Sequence, residues 1–214
     1  MSFERTKGML FTIGFGIRKA ANTGGDLVRA EYNDVWVNPN AIPTNVATCD
    51  LVTSVAAPTG AGGLDFTIVA AVAATLAAIP RSLAIWADAA MTQNCVVTGF
   101  DQFGTAQAET VAFNGAAKVE TTTVWGSLTS IHSAQRSGAG NLGVGLGSIF
   151  GTSRKLVKVG SGIVYVTATG KYAAVRETTT PVKSTTASVH GVTWTTAIAA
   201  TNTYELAYIS DEAR

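Results

Sequence analysis

The chain has 214 residues, of which 47% are hydrophobic and 14% are charged, and its formal net charge is +1. This charged fraction, well below the usual share of about 25%, predicts either a neutral surface of Thr, Ser, Gly and Ala or a surface covered by partners. The charge balance shows no polyelectrolyte signature for nucleic acid, and the length suits one sizeable domain or a domain with an arm.

Residues 1–63 are predicted to form an extended N-terminal arm. Turn formers recur at 22–26, 38–40 and 57–63, too often for long helices or strands, although LVRAEY and DVWVN are candidate isolated strands. An ordered arm of this length must lie on another surface. Because large apolar groups dominate interface energetics, the predicted arm anchors, each with packing on its own domain as the alternative, are Phe3, Met9, Phe11, Phe15, Tyr32 and Trp36.

Residues 64–214 are predicted to form a β-sandwich or barrel-like domain, so the fold class is mainly β with an N-terminal arm. A division into 64–151 and 152–214 is an open alternative. The apolar run 66–79 is shorter than the roughly 18 to 20 residues of a bilayer span, so it predicts a buried strand or core helix and no membrane partner. Within this run, the alanine-rich part 70–78 is a helix candidate.

The stretch CVVTGFDQFGTAQAETVAF predicts a hairpin. Val97 and Gly99 on one strip, and Val111 and Phe113 on the other, mark alternating positions, while FDQFG supplies a loop with Asp101 at its start and Gly104 at its end. Further strands are predicted at SLAIWA, TTTVWGSLTSI, KLVKVG, GIVYVTATGKYAAVRE, VTWTTA and TYELAYIS.

Motifs for catalysis are sparse. Gly138, Gly140 and Gly143 fit G-x-G-x-x-G, but a dinucleotide site needs a helix after that loop and an acid about 20 residues later. Further glycines follow instead, so a glycine-rich loop leading into a strand is predicted. His132 and His190 have no second ligand at metal spacing. The sequence therefore predicts no enzyme, no cofactor and no metal.

Two cysteines are too few for a disulfide scaffold of this length. Cys49 and Cys95 are interpreted as buried thiols in a reduced compartment, and a single bridge between them is left open. Basic residues cluster in the arm and after residue 153. A solvated strand face is one interpretation of these residues, and docking onto an acidic protein lattice is the predicted role of Arg18, Lys19, Arg154, Lys155 and Lys158.

Four blocks carry a family resemblance: PRSLAIWADAA, CVVTGFDQFGTAQAETVAFNG, VWGSLTSI and GVGLGSIFGTSRKL. Together they resemble a β module of tailed-bacteriophage structural proteins, in which a PR-strand leads to a V-T-G-x-D-x-x-G hairpin, an E-T strand, a strand ending in S-I and a final G-x-G strand. The likeness covers about residues 80–155, and TYELAYIS resembles the closing strand of such virion proteins.

The resemblance implies a structural virion protein, most like capsid decoration (cement) proteins, whose function is binding. The expected partner is the major capsid protein lattice, the expected place is the capsid surface, and a dimer or trimer at a lattice axis is expected. The alternatives are a tail, baseplate or head-completion protein, a hydrolase with a dispersed site, and a carbohydrate-binding sandwich that stacks sugars on Trp36, Trp86, Trp125 and Trp194.

Overall fold

The computed structural model describes residues 30–37, 39–114, 118–136, 139–155, 163–169, 175–176, 182–183, 190–193, 198 and 203–210. The predicted fold class is confirmed, because the chain is mainly β, with antiparallel strands in two sheets that pack in a sandwich-like arrangement. The strands are β1 (Ala30–Val37), β2 (Val52–Ala56), β3 (Leu64–Asp65), β4 (Arg81–Ala87), β5 (Thr92–Asp101), β6 (Ala106–Asn114), β7 (Lys118–Glu120), β8 (Trp125–Ser133), β9 (Asn141–Gly151), β10 (Ile163–Thr169), β11 (Val175–Arg176), β12 (Val182–Lys183), β13 (Gly191–Thr193) and β14 (Thr203–Ser210).

The large sheet has the strand order β12-β13-β9-β4-β8-β5-β6, and β2, β3 and β7 pair with β9, β8 and β4 respectively. Strand β4 lies near its centre. Every residue of β4 is buried except the half-buried Trp86, as expected for a strand with neighbours on both sides. The main core lies on the inner face of this sheet, around the fully buried Leu83, Ile85 and Trp125.

The small sheet has the order β1-β14-β10-β11. Strand β1 pairs with β14 along its whole length, from Ala30 opposite Ser210 to Val37 opposite Thr203. The two sheets meet in a second apolar cluster, in which the Trp36 ring centroid lies 5.3 Å from that of Phe150, and the Phe150 centroid lies 6.1 Å from that of Tyr204. Aromatic packing of this kind buries a large area per residue and joins the layers.

The predicted extent of the arm, residues 1–63, is corrected for residues 30–63, because strands of this segment belong to the two sheets. Leu51 is completely buried, β2 pairs with β9, and β1 pairs with β14. Strand β13, from the last part of the chain, also pairs with β9. These pairings cross residues 63 and 151, so the described residues do not divide at the predicted boundaries. The turn-rich composition did not predict that apolar residues of this segment would enter the core.

The apolar run 66–79 forms a short α-helix, α1 (Ala70–Ala73), followed by a 3-10 helix at Ala74–Ala77, and a second 3-10 helix lies at Val46–Thr48. Leu76 is completely buried, in agreement with the predicted core helix. β-branched neighbours keep the helical stretch short, because they lose side-chain freedom in a helix. In the described part of the chain, no helix is long and apolar enough to cross a membrane.

Arg81 lies completely buried at the start of β4. Its Nε and Nη2 donate to the Gly147 carbonyl oxygen, its Nη1 donates to the Asn40 carbonyl oxygen, and its guanidinium lies 4.6 Å from the Phe150 ring centroid. Burial lowers the pKa of Arg81 to about 10, against the opposing effect of Glu120 and other nearby groups. The guanidinium stays charged at neutral pH and ties β4 to β9 and to the chain after β1.

Candidate functional site

Strands β5, β6 and β8 turn one face of the large sheet to solvent, and this face is almost free of charge. We call it the outer face. His132 is its single titratable side chain, and its Nδ1 lies 2.8 Å from Oδ1 of Asp65 on β3. The outer face consists of exposed and half-buried residues of the three strands: Thr92, Asn94, Val96, Thr98, Phe100, Ala106, Ala108, Thr110, Ala112, Ser127, Ser130 and His132.

The outer face follows from strict alternation along the β5–β6 hairpin. The two strands pair without a register shift, from Thr92 opposite Asn114 to Phe100 opposite Ala106. Val97 is completely buried on the inner face, so its neighbours on β5 point outward. The predicted hairpin is confirmed, and the structure shows that the alternating positions Val97, Val111 and Phe113 are the inner ones. Apart from Phe100, the outward positions of the hairpin carry small or medium-sized uncharged side chains.

The loop of the hairpin is a tight, self-contained turn. Asp101 Oδ1 accepts hydrogen bonds from the main-chain N–H groups of Phe103, at 2.8 Å, and Thr105, at 2.9 Å. Gly104 has a φ of 79°, in the left-handed region that favours glycine, and its N–H donates to the Asp101 carbonyl oxygen. Asp101 and Gly104 thus have the positions predicted for them, and they fix where the loop projects.

The loop packs against the segment that follows β9. Gln102 Nε2 donates to the carbonyl oxygens of Thr152 and His190. The Phe103 ring centroid lies 5.7 Å from that of His190 and 5.9 Å from Lys155 Nζ. We call Phe103, Arg154, Lys155 and His190 the basic tip. The structure therefore brings two of the predicted basic docking residues next to the hairpin.

The other predicted site residues divide into three groups. Tyr32 lies in β1 opposite Tyr208. Trp36 is 3% exposed and packs on Phe150, so its predicted role as an arm anchor is corrected: the ring belongs to the chain's own core, the alternative that the sequence left open. Outside the described residues lie Phe3, Met9, Phe11, Phe15, Arg18, Lys19 and Lys158.

Phe100 is a residue of this region that sequence reasoning missed. Its side chain is 45% exposed at the end of β5 that adjoins the basic tip. The sequence contained the signal, because Phe100 follows the alternating positions Val97 and Gly99 by one residue and so lies on the opposite face of the strand. An exposed aromatic beside cationic side chains is a typical anchor for a protein partner.

Both cysteine thiols are turned inward. Cys49 and Cys95 are both free and buried, so no bridge joins them. Burial, together with the charge of Asp50, raises the pKa of Cys49 to about 12, and burial also raises that of Cys95. Both thiols are therefore protonated and unreactive at neutral pH. Among the described residues, no group of three or more His, Cys, Asp or Glu is placed to hold a metal ion.

The glycine-rich loop leads into a strand of the large sheet and does not form a phosphate-binding turn before a helix. Gly140 has a φ of 132°, and the chain after it enters β9, so a strand follows this loop as predicted. Asp88 accepts hydrogen bonds from N and Nδ2 of Asn141 and fixes the start of β9.

A cavity of about 230 Å³ lies beside the second apolar cluster. It is lined by Val37, Asn40, Thr75, Ala78, Ile79, Arg81 and Leu146.

Comparison with protein-family models, with curated proteins and with solved structures gave no match.

Proposed function

We propose that the chain is a structural virion protein that docks on the capsid surface of a tailed bacteriophage and stabilises the shell, as decoration proteins do. The observation that carries the proposal is the uncharged outer face, with Phe100 at its margin and the basic tip beside it. The three strands of the outer face lie within the stretch from β4 to β9, which contains the blocks that resemble the phage β module.

The physical chemistry of the outer face suits docking. A face with so few charged groups avoids the large desolvation cost of ionised side chains, and its hydroxyl and amide groups can exchange water for hydrogen bonds to a partner. Phe100 supplies a large apolar contact, and Lys155 and Arg154 orient the approach to an acidic partner. On a shell, each weak contact is repeated over many copies, which strengthens retention without requiring a tight single contact.

The predicted arm anchors Phe3, Met9, Phe11 and Phe15 remain part of the proposal. They precede Ala30, where β1 begins. A chain that lacks residues 1–29 therefore keeps β1 and its pairing with β14, and its binding to shells isolates the contribution of the arm. Reduced occupancy at unchanged thermal stability is the expected result.

The main test measures occupancy on shells assembled without this protein, prepared from the phage whose genome encodes it. Phe100→Asp places a charge in the outer face and is expected to lower occupancy at least tenfold. Ser54→Asp introduces the same charge at an exposed position on β2 and is the matched control. Equal occupancy for the two variants, or a wild-type chain that does not bind shells, would contradict the proposal.

Copy number separates decoration from a tail, baseplate or head-completion role, because a decoration protein is present in hundreds of copies and a tail part in few. Three of the four tryptophans of the carbohydrate-binding alternative do not favour it, and the fourth, Trp194, lies outside the described residues. Trp125 is completely buried, Trp36 is 3% exposed, and Trp86 is half-buried with Lys118 Nζ 5.6 Å from its ring centroid. Rings held in this way offer no open platform on which a sugar stacks.

A further inference from the structure

Residues 40–50 form a compact surface loop between β1 and β2, and the two ends of the loop meet. Asn40 Nδ2 donates to Asp50 Oδ2 at 3.4 Å. Around the 3-10 helix within the loop, Asn45 Oδ1 accepts from Thr48 N at 3.1 Å, and Thr48 Oγ1 accepts from Asn45 N at 3.1 Å. A loop closed in this way is an Ω-loop, which keeps its shape through its own contacts.

The loop lies on β9 without joining the hydrogen-bond ladder of that strand. A Cβ at Gly143 would lie 2.9 Å from Cys49 Cβ, and a Cβ at Gly145 would lie 2.6 Å from Pro43 Cγ, so the two glycines let the loop rest directly on the strand. Within the described residues, no main-chain hydrogen bond joins residues 41–50 to either sheet. Segments held mainly by packing open at a lower free energy than the strands beneath them.

Arg81 ties the first residue of the loop to the large sheet. Its Nη1 donates to the Asn40 carbonyl oxygen, while its Nε and Nη2 donate to that of Gly147. Burial lowers the pKa of Arg81, whereas the charges of Glu120 and of Asp50, at the other end of the loop, raise it. Asn40 and Arg81 also line the cavity of about 230 Å³. The loop therefore covers a buried cation and forms part of the cavity wall.

We propose that residues 40–50 act as a lid, which lifts from β9 as one unit and exposes Arg81 while both sheets stay folded. The contacts within the loop keep it together as it moves. Lifting is opposed by the Arg81 bond and by the packing of a few apolar side chains, among them Val46 and Cys49. This inference goes beyond the proposed docking, because it concerns the free chain and is tested without shells.

Alkylation of the two cysteines by iodoacetamide, followed for each residue by mass spectrometry, measures the opening of the lid. Cys49 is 6% exposed in the lid, Cys95 is completely buried in β5, and a buried protonated thiol does not react. In the full wild-type chain, Cys49 is expected to react about a hundredfold faster than Cys95 or more. Urea below the unfolding transition is expected to accelerate Cys95 steeply and Cys49 little, because lifting the lid exposes far less surface than unfolding does.

A core variant separates opening of the lid from unfolding of the chain. Ile131 is completely buried on β8, and Ile131→Val is expected to accelerate alkylation of Cys95 by about two- to tenfold through reduced global stability. The rate at Cys49 is expected to stay unchanged, because the main core remains folded when the lid lifts. Equal acceleration at both cysteines, or equal rates with the same urea dependence in the wild type, would overturn the proposal.

A second variant acts on the contact beneath the lid. Gly145→Ala brings a Cβ against Pro43 and is expected to accelerate alkylation of Cys49 about tenfold, because lifting relieves the contact. A Cβ at Gly62 would meet nothing within 4 Å, so Gly62→Ala is the matched control and is expected to leave both cysteine rates unchanged. An unchanged Cys49 rate in Gly145→Ala would contradict the lid.

Phenylglyoxal, which condenses with guanidinium groups, tests the exposure of Arg81 directly. Arg81 is completely buried, so it is expected to react only when the lid lifts, with the same weak dependence on urea as Cys49. Modification of Arg81 that requires urea concentrations at which the chain unfolds would show that the lid does not uncover it.

Discussion

At Glu120, several weak interactions determine the charge of one side chain. Burial raises the pKa of its carboxyl group, but hydrogen bonds from Ser82 Oγ, at 2.6 Å, and from N and Oγ of Ser148, together with the ammonium of Lys118, lower it by more, so the net shift is downward. The carboxylate thereby connects β7 to β4 and β9 in the middle of the large sheet. No local pattern of the sequence indicates this cluster, because Ser82, Glu120 and Ser148 are far apart in the chain.

Glu120 is expected to make stability depend on pH. Its pKa is lower in the folded than in the unfolded chain, so its contribution is present above the unfolded value of about 4.3 and is lost as the pH falls through the folded value. Glu120→Gln is expected to lower the free energy of unfolding at pH 7 by about 1 to 3 kcal/mol, and the difference from wild type should narrow towards pH 3.

Urea unfolding across this pH range measures the effect. Asp65→Asn is the matched control, because the side chain of Asp65 is 82% exposed and its loss at pH 7 is expected to change the free energy by no more than about 0.5 kcal/mol. A gap between Glu120→Gln and wild type that stays constant from pH 7 to pH 3 would show that ionisation of Glu120 is not the cause.

At the scale of elements, the β5–β6 hairpin was predicted in detail because its information is local. Alternation marked Val97 and Phe113 as positions on one face of each strand, and Asp101 and Gly104 marked the loop, whereas only the structure shows that Val97 and Phe113 are buried. The bulge where β8 passes Gly99 was not predictable, because it depends on a strand that comes more than twenty residues later. The helix at residues 70–77 was ambiguous for the opposite reason: alanine favours helix locally while its β-branched neighbours oppose it.

Two glycines of this hairpin are expected to differ in their tolerance of alanine. A Cβ at Gly104 would meet nothing within 4 Å, so Gly104→Ala is expected to cost about 1 to 2 kcal/mol, from backbone conformation alone. A Cβ at Gly99 would lie 2.2 Å from the Ser127 carbonyl oxygen and 2.9 Å from Leu128 Cα. Gly99→Ala therefore forces β5 and β8 apart and is expected to cost about 3 kcal/mol or more.

Equilibrium unfolding in urea ranks the two glycine variants. Gly99→Ala is expected to be the less stable variant. If Gly104→Ala were less stable instead, the loop conformation would matter more to stability than the close approach of β5 and β8.

At the scale of the whole molecule, Trp36 joins the small sheet to the large one. Trp36→Ala is expected to lower the free energy of unfolding by about 3 to 5 kcal/mol, because it empties the contact between β1 and Phe150. Val37→Ala changes a side chain that is 57% exposed on the next residue, and its effect is expected to stay within about 0.5 kcal/mol. Chemical denaturation of both variants provides the measurement.

If Trp36→Ala proved as stable as Val37→Ala, Trp36 would not be a core residue, and the predicted role as an arm anchor would be supported instead. The two outcomes are well separated, because an anchor for a partner contributes to binding and leaves the unfolding of the free chain unchanged.

By itself, the sequence determined the β class, the alternation that gives each strand an inner and an outer face, the hairpin turn at Asp101 and Gly104, and the low charge of the surface. These are properties of residues close in the chain, where side-chain period and turn chemistry act directly. Only the tertiary structure decided that residues 30–63 enter the sheets, that Trp36 is core, and that Lys155 meets Phe103. Pairing between distant strands has no local signature, because any apolar strip satisfies the same alternation until the partner that covers it is known.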